Sequence, residues 1–142
     1  MGRYNIPEPD KKDVPCTSTE ITHIGLNRDS TVHIGLKYYD ANHECFSKWE
    51  KPELKELSKF VKKLSNYTWN QVMQQAGSKN GFNYTLHKDI KKLPKEPKAL
   101  GLSEDTTFFE LRVDGDKRVH GFRSKSIFFL IWLDRNHQIY PS

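Results

Sequence analysis

Between Phe108 and Pro141 the chain reads as three extended runs joined by turns too short to hold anything else. Phe108–Val113 leads into Asp114-Gly115-Asp116, Arg118–Arg123 leads into Ser124-Lys125, and Ser126–Leu133 follows. Asp-Gly between two strand-like runs favours a tight hairpin, because both residues tolerate the positive φ that such turns need. The spacing predicts an antiparallel meander of strands over 107–113, 118–123 and 126–133. Alternation places Arg118, His120 and Phe122 on one face of the middle strand and Val119, Gly121 and Arg123 on the other. The last run is apolar on both faces, with Ile127, Phe129 and Ile131 against Phe128, Leu130 and Trp132. A strand of that kind is central and must be covered twice. A helical hairpin can cover one side, and the C-terminal tail or a partner the other.

The preceding residues supply the hairpin. Leu54, Leu57, Phe60 or Val61, and Leu64 recur at three- and four-residue steps, so Lys51 to Ala76 reads as helix with one apolar stripe. Pro52 is tolerated only in a first turn, which starts the helix near Lys51. Ser65-Asn66-Tyr67 interrupts the stripe. Thr68 and Gln71 then match a capping box that opens a second helix, expected to end at Gly77. Upstream, Val32, Ile34, Leu36 and Tyr38 alternate with His33, Gly35, Lys37 and Tyr39, predicting a strand over Thr31–Tyr39. Residues 1–30 hold Pro7, Pro9 and Pro15 with no sustained periodicity, and read as a flexible arm that Ile21, Ile24 and Leu26 anchor. Asn83–His87 suits a short strand. Lys88, Lys91, Lys92, Lys95 and Lys98, broken by Pro94 and Pro97, form a basic surface loop. The fold class is thus α+β, a single domain over 31–142 in which an antiparallel meander carries a helical hairpin on one face.

Composition narrows the function classes. The hydrophobic share of 35% is lean, but 12% aromatic residues let one modest core form. No run approaches the ~18 apolar residues of a membrane span, the start lacks an apolar secretion segment, and Ile6 stands where myristoylation favours Ser or Thr. Cys16 and Cys45 are too isolated for a disulfide framework, and Cys45, near Phe46 and Trp49, suits a small buried filler. These features predict a cytoplasmic protein. The net charge is +5, and residues 1–31 hold Arg3, Lys11, Lys12 and Arg28 against Glu8, Asp10, Asp13, Glu20 and Asp29, so Val32 onward carries +6. A basic folded part favours a polyanionic partner through phosphate contacts.

The order strand, helical hairpin, meander resembles the RelE/ParE toxin superfamily. The wording that carries the likeness is Glu110-Leu111-Arg112, Asp114-Gly115-Asp116, Arg118-Val119 and Ile127–Leu133. The resemblance implies a RelE-like fold and a toxin that cleaves messenger RNA, on RNA or the ribosome, held in check by a small acidic antitoxin protein. The ending Trp132-Leu133-Asp134, His137, Tyr140-Pro141 departs from the lysine-rich tail of those toxins. Together with Arg118-Val119-His120-Gly121-Phe122 it resembles small proteins of bacteria and their mobile elements. That likeness suits a second hypothesis, a non-enzymatic protein of a mobile element or defence locus that binds nucleic acid or protein with the same basic sheet.

Cleaving RNA without a metal needs a base for the 2'-hydroxyl, a cation for the phosphorane charge and an acid for the leaving oxygen. His120, His137, Tyr140 and Arg118 are the candidate catalytic residues. Arg123, Arg112, Lys37, Lys88, Lys91 and Lys92 are the candidate nucleic-acid contacts, and His33 could join Lys37 from the first strand. The competing structural roles are a strand histidine bonded to a carbonyl for His120, solvated edges for Arg118 and Arg123, and a turn capped by Asp134 through Asn136 or His137, with Tyr140 packed on an edge. A zinc site from His33, His120 and His137 lacks a closely spaced ligand pair. No metal and no cofactor is expected.

Overall fold

A computed structural model describes residues 30–77 and 81–141, so all of the expected arm but Ser30 lies outside the described residues. The elements run β1 (His33–Gly35), α1 (Lys51–Leu64), α2 (Trp69–Met73), β2 (Thr85–Leu86), β3 (Phe108–Asp114), β4 (Lys117–Ser124) and β5 (Ile127–Asp134). Single 3-10 turns stand at Phe46–Lys48, Ile90–Lys92 and Pro97–Leu100, the last two within the basic loop. The five strands form one sheet in the order β1-β5-β4-β3-β2. β2 to β5 pair antiparallel, whereas β1 runs parallel to β5 with His33 opposite Ile127. The fold is therefore α+β with a mixed sheet, which corrects the wholly antiparallel expectation. Parallel neighbours cannot be joined by a tight turn, and the chain between β1 and β5 runs through both helices and the other three strands. Among the described residues no helix is long and apolar enough to cross a membrane.

Local chemistry explains the helix ends. Glu50 and Glu53 form a reciprocal capping box at the start of α1, with Pro52 in the first turn. Thr68 and Gln71 do the same for α2. The apolar stripe of α1 is narrower than its spacing suggests: Leu57, Phe60 and Leu64 are buried, while Leu54 and Val61 are exposed. Those three pack with Trp69 and Val72 of α2 against Phe109, Leu111, Val119, Phe128, Leu130 and Leu133 on one face of the sheet. Trp69 also donates its indole N–H to the Ser126 carbonyl at 2.9 Å. β1 is shorter than the predicted Thr31–Tyr39. The chain turns at Leu36, whose carbonyl accepts the Tyr39 N–H, leaving Leu36 on the surface while Tyr38 packs against Phe122 and Phe129 on the opposite sheet face. Cys45 is half-buried beside Ser47 at 2.6 Å, at the start of a 3-10 turn, and does not fill the core.

β5 contains a bulge. His120 pairs with Trp132 but Gly121 pairs with Leu130, so Ile131 is an extra residue. An inserted residue reverses the facing of everything after it. Trp132 therefore joins Phe129 and Ile131 on one face, and Leu133 turns to the helices. This corrects the simple alternation that set Trp132 opposite Ile131. Gly121 makes the bulge possible, since a Cβ there would overlap the Phe129 carbonyl oxygen. The second face is closed by the chain itself: Leu93 and Leu100 of the basic loop region, Tyr38, and Ile139 and Tyr140 of the tail pack on Phe108, Phe122, Ile131 and Trp132. Buried Asp40 fastens this cover. Its N–H reaches the Ile131 carbonyl at 2.9 Å, and its carboxylate takes the Trp132 indole N–H at 3.1 Å, the Asn42 amide at 3.1 Å and the Lys95 ammonium at 3.3 Å.

Gly121→Ala should cost about 3 kcal/mol or more, because the overlap is with backbone that cannot yield. Gly115, at φ 51 with nothing near its missing side chain, is the control, and its alanine variant should cost about 1–2 kcal/mol from backbone strain alone. Urea unfolding measures both, and equal costs would remove the bulge as the cause. A second outcome concerns acid. Burial pushes the Asp40 carboxyl up, but bonds from Asn42, Trp132 and Lys95 outweigh it and hold it below its ordinary value. A depressed carboxylate contributes stability at neutral pH that is lost as pH falls through its folded pKa. Asp40→Asn should cost about 1–2 kcal/mol at pH 7 and flatten the decline below roughly pH 4. An unchanged acid limb would contradict this role.

Candidate functional site

On the face closed by the tail, the pleat of β3, β4 and β5 lines up charged side chains where apolar ones would be ordinary. Glu110 stands opposite His120, and Arg118 stands opposite Asp134. His87 enters directly after β2, its N–H bonded to the Phe108 carbonyl at 2.9 Å. His137 comes from the tail in a left-handed conformation, φ 54, that few non-glycine residues adopt.

These groups bond to one another. His120 Nε2 lies 2.8 Å from Asp134 Oδ2, and His120 Nδ1 lies 2.8 Å from His87 Nε2. Asp134 also accepts the amides of Gln138 at 2.8 Å and Ile139 at 3.0 Å. The turn is thus capped through Gln138 and Ile139, where the sequence suggested Asn136 or His137. Arg118 donates through Nε to Glu110 at 3.1 Å and through a terminal nitrogen to the carbonyls of Gly115 at 2.5 Å and Lys117 at 3.2 Å. His137 Nε2 is 2.9 Å from the same Glu110 oxygen, at ion-pair distance but without hydrogen-bond alignment. The Tyr140 ring packs on His87 at 4.4 Å, and its hydroxyl accepts the Lys88 N–H at 3.2 Å.

Burial raises the carboxyl of Asp134, but the bonds from His120, Gln138 and Ile139 outweigh it and keep it below its ordinary value. With Asp134 ionised, His120 Nε2 is the donor of that bond. Burial, with His120 and His137 close by, pushes the His87 imidazole down to about 3, against the pull of Asp134. His87 is neutral across the physiological range.

The sequence-predicted quartet of His120, His137, Tyr140 and Arg118 is thus brought into one cluster, with His120 and Arg118 buried and His137 and Tyr140 half-buried. His120 is 0% exposed and Arg118 4%. The candidate nucleic-acid contacts divide among separate places. Lys88, Lys91 and Lys92 are exposed on the tail side, with Lys92 over the Tyr140 ring at 5.2 Å. Lys37 is exposed beside Tyr38. Arg123 lies over the Trp69 ring at 4.7 Å and donates to the Lys125 carbonyl at 2.7 Å. Arg112 lines an open cleft of about 650 Å³ between α1 and the β3–β4 turn, together with Lys59, Lys63, Phe60, Phe82 and Arg118. His33 lies apart, exposed, its ring nitrogen on the Thr31 carbonyl at 3.0 Å.

No protein-family model, curated protein or solved structure matches the chain. Chemistry therefore has to be read from geometry. The cluster offers three buried ligand groups, His87, Glu110 and His120, whose donor atoms lie within 4.8 Å of one another. His87, Glu110, Lys59 and Lys63 escaped the sequence reading. A signal existed for Glu110, an acid flanked by Phe108, Phe109 and Leu111 in a central strand, since such residues are buried only with partners. His87 lies in the segment with the weakest pattern, and nothing local marks it.

Asp134→Ala should leave the His120 ring N–H and two tail amides without their acceptor, costing about 3–4 kcal/mol. Amide exchange at Gln138 and Ile139 should accelerate far more than exchange within β3. Unchanged protection at those two amides would show that the tail is held by something else.

Proposed function

We propose that the protein binds RNA, with the cleft between α1 and the β3–β4 turn as its contact surface. The observation that supports this reading is the convergence of Lys59, Lys63 and Arg112 on one hollow floored by Phe60 and Phe82. Cations grouped on one open hollow suit a flexible single strand, whose phosphates they can engage together; Phe60 and Phe82, 5% and 1% exposed, support the hollow from beneath. Glu56, Asp114 and Asp116 on the same rim would repel phosphate locally and restrict the path of the strand.

A second reading has a specific observation behind it. One strand and two helices precede the antiparallel strands β2 to β5, and the likeness of the β3–β5 wording to RelE-type toxins supports cleavage of messenger RNA under control of an acidic antitoxin. In that reading the cations of the cleft act on the phosphate, and of the quartet only Arg118 lines that cleft. The burial of His120 favours binding without chemistry by that imidazole, since a general base must come within hydrogen-bond reach of the proton it takes.

Replacing Lys59, Lys63 and Arg112 together by Ala should weaken single-stranded RNA binding at least roughly tenfold and lower the salt slope by about 2, as expected for three lost phosphate contacts. The triple variant at Lys88, Lys91 and Lys92 should change both much less. The reverse ranking would move the contact surface to the tail side and overturn the cleft assignment. Mapping RNA ends after expression in a bacterial host then separates the readings: new ends favour the toxin, and intact RNA with retained binding favours the binder.

A further inference from the structure

The buried cluster contains more bonding capacity than it uses. Glu110 is 2% exposed, and its Oε1 has no hydrogen-bond partner among the described residues. His87 is 5% exposed and turns its Nε2 toward His120. His137 Nε2 sits beside Glu110 without an aligned hydrogen bond. An unsatisfied carboxylate oxygen at this depth ordinarily costs about 1–3 kcal/mol, and it calls for a cause.

We propose that His87, His120 and Glu110 form a site for a divalent transition-metal ion of the zinc type, with three protein ligands. Imidazole and carboxylate donors in a buried setting suit zinc and exclude magnesium, which demands oxygen ligands and retains water. His120 would bind through Nδ1, because its Nε2 is engaged with Asp134 at 2.8 Å. A carboxylate on the far nitrogen of a ligating histidine orients the ring and raises its basicity. Arg118 orients Glu110 in the same manner, leaving Oε1 for the metal. Tetrahedral zinc holds two imidazole nitrogens roughly 3.3 Å apart. His87 Nε2 and His120 Nδ1 stand at 2.8 Å, so they need separate by only about half an ångström. The competing account is a plain imidazole–imidazole hydrogen bond between these atoms, which would leave the Glu110 oxygen unexplained.

The ligands come from separated parts of the chain: the residue after β2, the middle of β3 and the middle of β4. One ion would therefore fasten the 81–107 segment to the meander. This inference goes beyond the RNA reading and does not depend on it.

The test uses the full chain, stripped with chelator and titrated with Zn²⁺ and, separately, Co²⁺ and Mg²⁺. Wild type should take up one Zn²⁺ per chain, and Co²⁺ should give the visible absorption of a tetrahedral site. At a hundredfold excess over Kd the melting temperature should rise on the order of 10 °C, while Mg²⁺ does nothing. His87→Ala and Glu110→Gln should each weaken uptake at least roughly tenfold, and His33→Ala should leave it unchanged. A wild type that remains folded and takes up no stoichiometric zinc or cobalt would overturn the proposal. So would uptake unaffected by His87→Ala and Glu110→Gln. The wild-type titration decides even if a variant fails to fold.

Discussion

The carboxylate of Asp134, held away from water at the end of β5, is the constraint on which the rest of this structure depends. A buried charge is tolerated only when its lone pairs are satisfied. Here the partners are His120 of β4 and the amides of Gln138 and Ile139 in the tail. One group thus joins two strands to the segment that closes their outer face. His120 bonds His87 in turn, and Arg118, opposite Asp134 in the sheet, bonds Glu110. The bonds stop at His87 Nδ1 and Glu110 Oε1, which have no partner among the described residues.

The sheet needs two covers, and the two are made differently. The helices cover their side with a continuous apolar stripe, an arrangement driven by area removed from water. The other side is covered by a short tail and a proline-broken loop that contribute little apolar area: Leu93, Ile139, Leu100 and Tyr140. Specific bonds compensate, through Asp40 to Trp132 and Lys95 and through Asp134 to the tail amides. This division bears on function. The face that carries most of the histidines and arginines of the meander is occupied by the chain's own C-terminus, so chemistry directed at an outside molecule falls to the rims. The cleft at Arg112, Lys59 and Lys63 is such a rim.

Local chemistry was legible. Asp114-Gly115 marked a hairpin, the Thr68–Gln71 box marked a helix start, and the doubly apolar run at 126–133 marked a strand flanked on both sides. Each is written within a few residues, because turns, caps and pleats are short-range. Candidate residues were legible by type: His120, Arg118, His137 and Tyr140 were selected because ionisable groups stood in an apolar sheet, and they do meet. Whether they meet at the surface or beneath it depends on what lies above the sheet, which no run of residues in the meander records.

The sequence by itself therefore determined the elements, their order and the two-sided demand of β5. The tertiary structure alone decided the facing of Trp132 and Leu133, the parallel seat of β1 and the assembly of His87 with Glu110 and His120. The physical reason is common to all three. A bulge is decided where two backbones approach, at Gly121 against Phe129. A parallel edge is decided by the connection between β1 and β5. A cluster is decided by which distant segment has the donor that a buried carboxylate lacks. These are long-range couplings, and in the chain they appear only as a glycine, a short apolar run and an isolated histidine.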